Sequence, residues 1–224
     1  MLSLKKYISS LLCLSICVST LALAACKSER AKDGETTEAA NNVTVMGENS
    51  FYSTADLSEY VSLCDYKGLT FDISDTNGSR EDMENAVKKH IFERSEIKKY
   101  PDELVGYYFE QEKNFYMYLA KGDAEQYEAL LAEAGLDEND LAERAKKYVA
   151  EDLVFYAITR AEDISVSDEE KETLIDKYVA EYVDAYGYTE EYVKSNMSEL
   201  IYDSMLYDKT MELLIASNSF NTKN

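Results

Sequence analysis

The spacing of apolar positions changes several times along the chain, and each change marks a different kind of segment. An apolar run from Ile8 to Ala25 follows Lys5 and Lys6. From Lys27 to about Ser53 the chain is polar and has no apolar period, which predicts a flexible tether. Beyond Leu57 two β-prone runs appear, with Val61 and Leu63, then Leu69, Phe71 and Ile73, alternating at period two. They are broken at Asp65 to Gly68, so residues 54–78 are expected to form a short β-hairpin or an extended arm. After Asn77-Gly78 the period becomes helical: Met83, Ala86, Val87, His90, Ile91 and Arg94 share one stripe, with Ser79 as N-cap.

Helix boundaries follow from the capping residues. Pro101 suits a first helical turn, where its missing N–H costs nothing, and Lys121-Gly122 closes the helix that carries Leu104, Val105, Tyr108, Phe115, Tyr116 and Leu119. Asp123 opens a short helix bearing Tyr127, Leu130 and Leu131, closed by Gly135, and Asp137 opens a long one ending about Glu162. Ser167-Asp168-Glu169-Glu170 is a Ser-x-x-Glu capping box, in which hydroxyl and carboxylate satisfy each other's orphan amides. The helix it starts stops at Gly187, and Thr189 begins the last one, through Val193, Met197, Leu200, Ile201, Met205 and Met211 to about Ser217. The expected class is mainly α. The expected division is a leader 1–25, a tether 26–53, an extended arm 54–78, a helical domain 79–218 and a disordered tail 219–224.

Composition narrows the function. With 23 basic against 44 acidic residues the formal net charge is -21, which repels nucleic acid and anionic headgroups. Of four cysteines, Cys13 and Cys17 lie in the leader and Cys26 directly follows it, which leaves Cys64 as one thiol with no internal disulfide partner.

Leu23-Ala24-Ala25-Cys26 resembles the lipobox of bacterial lipoproteins. That resemblance implies removal of residues 1–25, a lipid on Cys26 and a place on the extracytoplasmic face of the cell membrane. The apolar run is shorter than the ~20 residues that span a bilayer comfortably, which favours cleavage over a permanent anchor. A tether of about 25 residues reaches about 25–30 Å as flexible coil.

Tyr100-Pro101-Asp102-Glu103-Leu104-Val105, then Tyr118-Leu119-Ala120-Lys121-Gly122, then the stretch from Ala157 to Glu170 and the Tyr186-Gly187 stop resemble the C-terminal domain of trigger factor. Asp65-Tyr66-Lys67-Gly68-Leu69 resembles the segment leading into the isomerase domain of trigger-factor-like lipoproteins, although Cys64 stands where glycine is expected. The resemblance implies a multi-helix chaperone body with projecting arms that cradle non-native polypeptide, in the manner of exported foldases of the PrsA and SurA kind. Only Thr76 to Arg80 separates the extended segment from the first helix, so no FK506-binding-type isomerase domain fits there.

Other chemistry finds little footing. His90, the only histidine, lies on an apolar helix stripe and reads as a packed residue rather than a base. Asp137-Glu138-Asn139-Asp140 lacks the glycine and terminal glutamate of an EF-hand loop and reads as a helix cap. No catalytic residue, metal site or cofactor is expected. With 19 tyrosines and 7 phenylalanines the aromatics invite two readings. Tyr107, Tyr108, Phe109, Phe115, Tyr116 and Tyr118 either pack between two neighbouring helices or supply some members, with Met197, Met205 and Met211, of an adaptable groove for unfolded segments. The expected function is a holdase for unfolded or nascent exported polypeptides. The alternatives are a lipoprotein that holds one folded partner at the cell surface, or a prolyl isomerase.

Overall fold

The computed structural model describes residues 43–223; the leader, Cys26 and the first part of the tether lie outside them. Among the described residues no helix is long and apolar enough to cross a membrane. The class is mainly α, with short strands only. In chain order the elements are α1 (Phe51–Thr54), β1 (Val61–Ser62), β2 (Thr70–Asp72), α2 (Arg80–Arg94), β3 (Glu96–Ile97), α3 (Asp102–Leu119), α4 (Ala124–Glu133), α5 (Glu138–Ala161), α6 (Asp168–Tyr186), α7 (Glu190–Ala216) and β4 (Ser219–Asn221). The chain divides into two compact units, one of Tyr100–Val149 and one joining Thr44–Lys99 to Ala150–Asn224.

The first unit holds α3, α4 and the first half of α5. Pro101 sits at the N-cap of α3, one residue before the first turn, with a φ of -67° that feeds the helix. After α3 the chain reverses through Lys121 and Gly122, at φ 55° and 80°. The Asp123 carboxylate accepts the Gln126 amide at 2.9 Å and starts α4. Asp137 accepts the amides of Asn139 and Asp140 at 2.7 and 3.0 Å, so this acidic run serves the start of α5. The core gathers Ala120, Tyr127, Leu131 and Leu141, with Phe109, Tyr116, Met117, Leu130 and Leu136 packed against them. Each large apolar side chain buried this way contributes about 1.5–3 kcal/mol.

The second unit is built on α2, the second half of α5, α6 and α7. Ser79 with Asp82, and Ser167 with Glu170, form complete capping boxes at the starts of α2 and α6. Gly187 ends α6 at φ 69°, a left-handed conformation that costs glycine little. Thr189 caps α7, and α6 and α7 pack together across the short connection between them. Val87 and Ile91 of α2, Leu153 and Ile158 of α5, and Val193, Met211 and Leu214 of α7 are all fully buried. A hydroxyl pair, Thr159 with Thr210 at 2.9 Å, and a stacked ring pair, Phe155 with Tyr207 at 5.1 Å, join α5 to α7.

Three expectations change. The two β-prone runs do not form a hairpin with each other: β1 pairs antiparallel with β3, and β2 pairs in parallel with β4. The segment from 219, expected as a disordered tail, supplies β4, and Phe220 stacks on Phe71 at 5.5 Å. The expected tether also ends sooner, because residues from Thr44 onward are bound to the second unit. Val45 and Ser50 are buried, Glu48 pairs with Lys171 at 2.9 Å, and the Gly47 amide donates to Asp203. Short polar residues gave no period because backbone amides, rather than apolar side chains, hold much of this strap.

Candidate functional site

On α3 the aromatics are organised by a buried carboxylate. Glu112 is 2% exposed; it accepts the Tyr148 hydroxyl at 3.0 Å and Arg144 Nη1 at 3.5 Å. Arg144 also donates to the Tyr116 hydroxyl oxygen at 3.4 Å, and the Tyr108 ring lies 5.8 Å from that of Tyr148. A carboxylate so far from water is held by the phenol and guanidinium facing it, and the pairing fixes α3 against α5. Phe109 and Tyr116 therefore pack into this unit's core, as the first of the two readings of the aromatics anticipates. Tyr107, Tyr108 and Phe115 are half-buried; burial pushes the Tyr107 hydroxyl above its usual pKa. The large apolar side chains this unit leaves exposed are Tyr118 (54%), the last of the α3 aromatics, with Leu119 (47%) at the turn into α4, and Tyr100 (39%).

In the second unit Met197 and Met205 are half-buried along α7, and Met211 is fully buried. The methionines thus belong to one unit and the α3 aromatics to the other. Where α6 meets α7 a ladder of tyrosines appears instead. Ring centroids run Tyr178 to Tyr182 at 6.0 Å, Tyr182 to Tyr188 at 6.3 Å and Tyr188 to Tyr192 at 4.9 Å, the last two pairs stacked. Tyr178 at its inner end is buried, which together with the neighbouring Tyr182 and Glu181 pushes its hydroxyl up to about 12. Tyr188, third in the ladder, is 40% exposed, and Tyr192 at its far end is half-buried. Beside it Thr189, Glu190, Glu191, Lys194 and Ser195 line a shallow, open depression.

The remaining candidates have structural roles. His90 is half-buried, its Nε2 lies 3.0 Å from the Asp65 carbonyl oxygen, and its ring meets Phe71 edge to face. The Cys64 amide donates to the Ser95 hydroxyl at 3.3 Å. Among the described residues no group of three or more His, Cys, Asp or Glu side chains is placed to hold a metal ion.

The model of the bacterial trigger factor protein C-terminus matches residues 75–216. The chain belongs to the trigger factor C-terminus family. A solved chain of trigger factor from Thermotoga maritima, reported with the structures of its domains and the interactions between them, shares 18% identity. That likeness covers 69% of this chain and 93% of that one at a TM-score of 0.48. No curated protein sequence matches the chain. Within the trigger factor C-terminus span fall α2 through α7, whereas the Thr44–Ser50 strap, β1, β2 and β4 lie outside it.

The exposed Leu119 and Tyr188 and the buried Glu112 and Asp203 escape a sequence reading, and the exposure of Tyr118 at a turn is not marked by its place among the helix aromatics. Tyr118 and Leu119 continue an apolar helix stripe, and only their position beside Lys121-Gly122 hints that they sit at a turn. Glu112 and Asp203 look like ordinary solvated charges on acidic helices, and nothing local marks either as buried.

Proposed function

We propose that this chain is a lipid-anchored chaperone of the extracytoplasmic membrane face, holding non-native exported polypeptides through apolar and aromatic side chains. Membership of the trigger factor C-terminus family supports a chaperone-like role. The observation that carries the reading is where exposed apolar surface lies. Both units bury their cores yet leave large apolar side chains open at helix turns, Tyr118 and Leu119 in one and Tyr188 in the other. Such sites suit clients without fixed structure, because tyrosine makes large contacts with little loss of side-chain freedom.

β2 passes to α2 through residues 73–79 alone, with no inserted domain, which favours holding over isomerisation. The lipobox-like Leu23-Ala24-Ala25-Cys26 supports a membrane address, with the client-binding body attached through residues 27–43. At equimolar amounts and without nucleotide, the full chain should suppress aggregation of several unrelated unfolded clients measured by light scattering. No suppression with any client rejects the reading, and one tight folded partner in crosslinking pulldowns selects the scaffold alternative. Acceleration of proline-limited refolding would instead select an isomerase. Cys26→Ala should abolish incorporation of labelled palmitate and release the protein from the membrane fraction.

A further inference from the structure

We propose that the N-terminal strap with α1, Thr44–Thr54, is a latch fastened to the second unit through Asp203, which closes as pH falls and lets go, with the helices still folded, as pH rises. The strap keeps its own shape. The Phe51 amide donates to the Thr44 carbonyl at 2.8 Å, and the Ser50 amide and Ser53 hydroxyl both reach the Gly47 carbonyl at 3.1 Å. The Thr54 hydroxyl reaches the Ser50 carbonyl at 2.9 Å. These bonds lie within the strap, so it can leave as one piece without breaking them. Its fasteners to the body include the Gly47 amide on Asp203, Glu48 on Lys171 at 2.9 Å, and the Tyr52 ring stacked on that of Tyr156 at 4.8 Å and 3°. The Tyr156 hydroxyl also bonds Asp203, so one buried carboxyl underlies the first and the last of these. Beyond the strap the Ala55 carbonyl accepts from Arg160, which marks where the chain stays held. The strap precedes the family span of residues 75–216, and α2, α6 and α7 carry caps of their own.

Charge decides which way the latch moves. Near Asp203, α5 places Asp152 and Tyr156, α7 places Glu199 and Tyr202, the strap brings Glu48, and α6 brings Lys171 with Asp168 close to it. The cation of this group is Lys171, and it already binds Glu48 and lies over the Tyr202 ring, 5.4 Å from its centre. A charge on Asp203 is therefore buried beside the carboxylates of Asp152 and Glu199, whereas a protonated carboxyl still accepts the Gly47 amide. Opening the strap returns Asp203 to water, which hydrates the charge. Burial raises the carboxyl to about 7, so the closed state's advantage is complete below about pH 4 and is lost as pH climbs to about 7. If Cys26 carries a lipid, as proposed above, release lengthens the tether from residues 27–43 to residues 27–54, about 35 Å more chain at full extension. That consequence rests on the lipid-anchor reading; the latch itself does not.

The test is hydrogen exchange on the full chain at pH 5, 6 and 7, read by mass spectrometry in peptides from the strap and from α2. Rates are divided by those of unstructured peptides of the same sequence at the same pH, which removes the intrinsic pH dependence of exchange. Strap protection in the wild type should fall on the order of tenfold per pH unit at most, while α2 stays protected. In Asp203→Asn, which keeps an acceptor for the Gly47 amide and cannot ionise, strap protection should stay flat across the same range. Should that variant fail to fold, Glu199→Gln, at an exposed side chain, removes one like charge beside Asp203 and should make the fall shallower. A fall of wild-type size in either folded variant, a rise in strap protection from pH 5 to pH 7, or strap and α2 losing protection together would each overturn the latch. Membrane release of Cys26→Ala is read separately. Its failure removes the lipid anchor and the change in tether length, and leaves the latch standing.

Discussion

Asp203 receives the backbone amide of Gly47 on both carboxylate oxygens, at 3.3 and 3.1 Å, and so ties the N-terminal strap to the middle of α7. Burial raises this carboxyl to about 7; the Gly47 and Tyr156 hydrogen bonds oppose the rise, and Asp152 and Glu199 add to it. A carboxyl whose folded pKa exceeds its unfolded value keeps a proton that the unfolded chain has lost. It stabilises the fold below about pH 4, and that stability fades as pH climbs to about 7. The expected slope is about 1.4 kcal/mol per pH unit at most between those limits. Urea unfolding at pH 5 and pH 7 should show the wild type losing more stability on that rise than Asp203→Asn.

Gly47 is the other half of that relationship. Its φ is +86°, and a Cβ there would lie 1.4 Å from Glu199 Oε2. Gly47→Ala should cost about 1–2 kcal/mol from the backbone alone, plus the displacement of Glu199. Adding Glu199→Ala should recover only the steric part. Faster hydrogen exchange across residues 44–52 would report the loosened strap, and wild-type rates in Gly47→Ala would contradict it.

The Glu112 network predicts that its bonds between α3 and α5 hold the fold. Tyr148→Phe removes a hydrogen bond to a buried carboxylate and should lower stability by about 1–3 kcal/mol. Denaturant midpoints measure this directly, and an unshifted midpoint would mean that water replaces the phenol.

Substitutions around the α3 turn should separate packing from presentation. Tyr116→Ser, at a half-buried side chain packed against the core of the first unit, should destabilise by roughly 1–3 kcal/mol. Tyr118→Ser with Leu119→Ser, both exposed, should shift the melting temperature little and still reduce aggregation suppression. Loss of fold in the second pair would assign those side chains to packing instead.

Ser167 provides a local control. Its hydroxyl accepts the Glu170 amide at 3.3 Å, while the Glu170 carboxylate receives the Ser167 amide at 2.9 Å and Lys209 at 2.8 Å. These bonds hold Glu170 down at about 2, led by the one from Lys209. Ser167→Ala should cost about 0.5–2 kcal/mol, read as a lower thermal midpoint.

The chain by itself determined its helices. Ser79, Asp123, Asp137, Ser167, Gly187 and Thr189 sit where they set helix ends, because capping is settled by bonds within a few residues. Burial of Val87, Ile91 and Leu104 was legible for the same reason, since a helix stripe repeats every turn. Tertiary structure alone decided the parallel pairing of β2 with β4, the bond between Gly47 and Asp203 across 156 residues, and the burial of Glu112 beneath Tyr148. It also decided that Phe109 and Tyr116 turn inward while Tyr118, Leu119 and Tyr188 stay exposed. Each of those outcomes depends on what a distant segment brings to the same place. Local periodicity and side-chain chemistry hold no record of that partner.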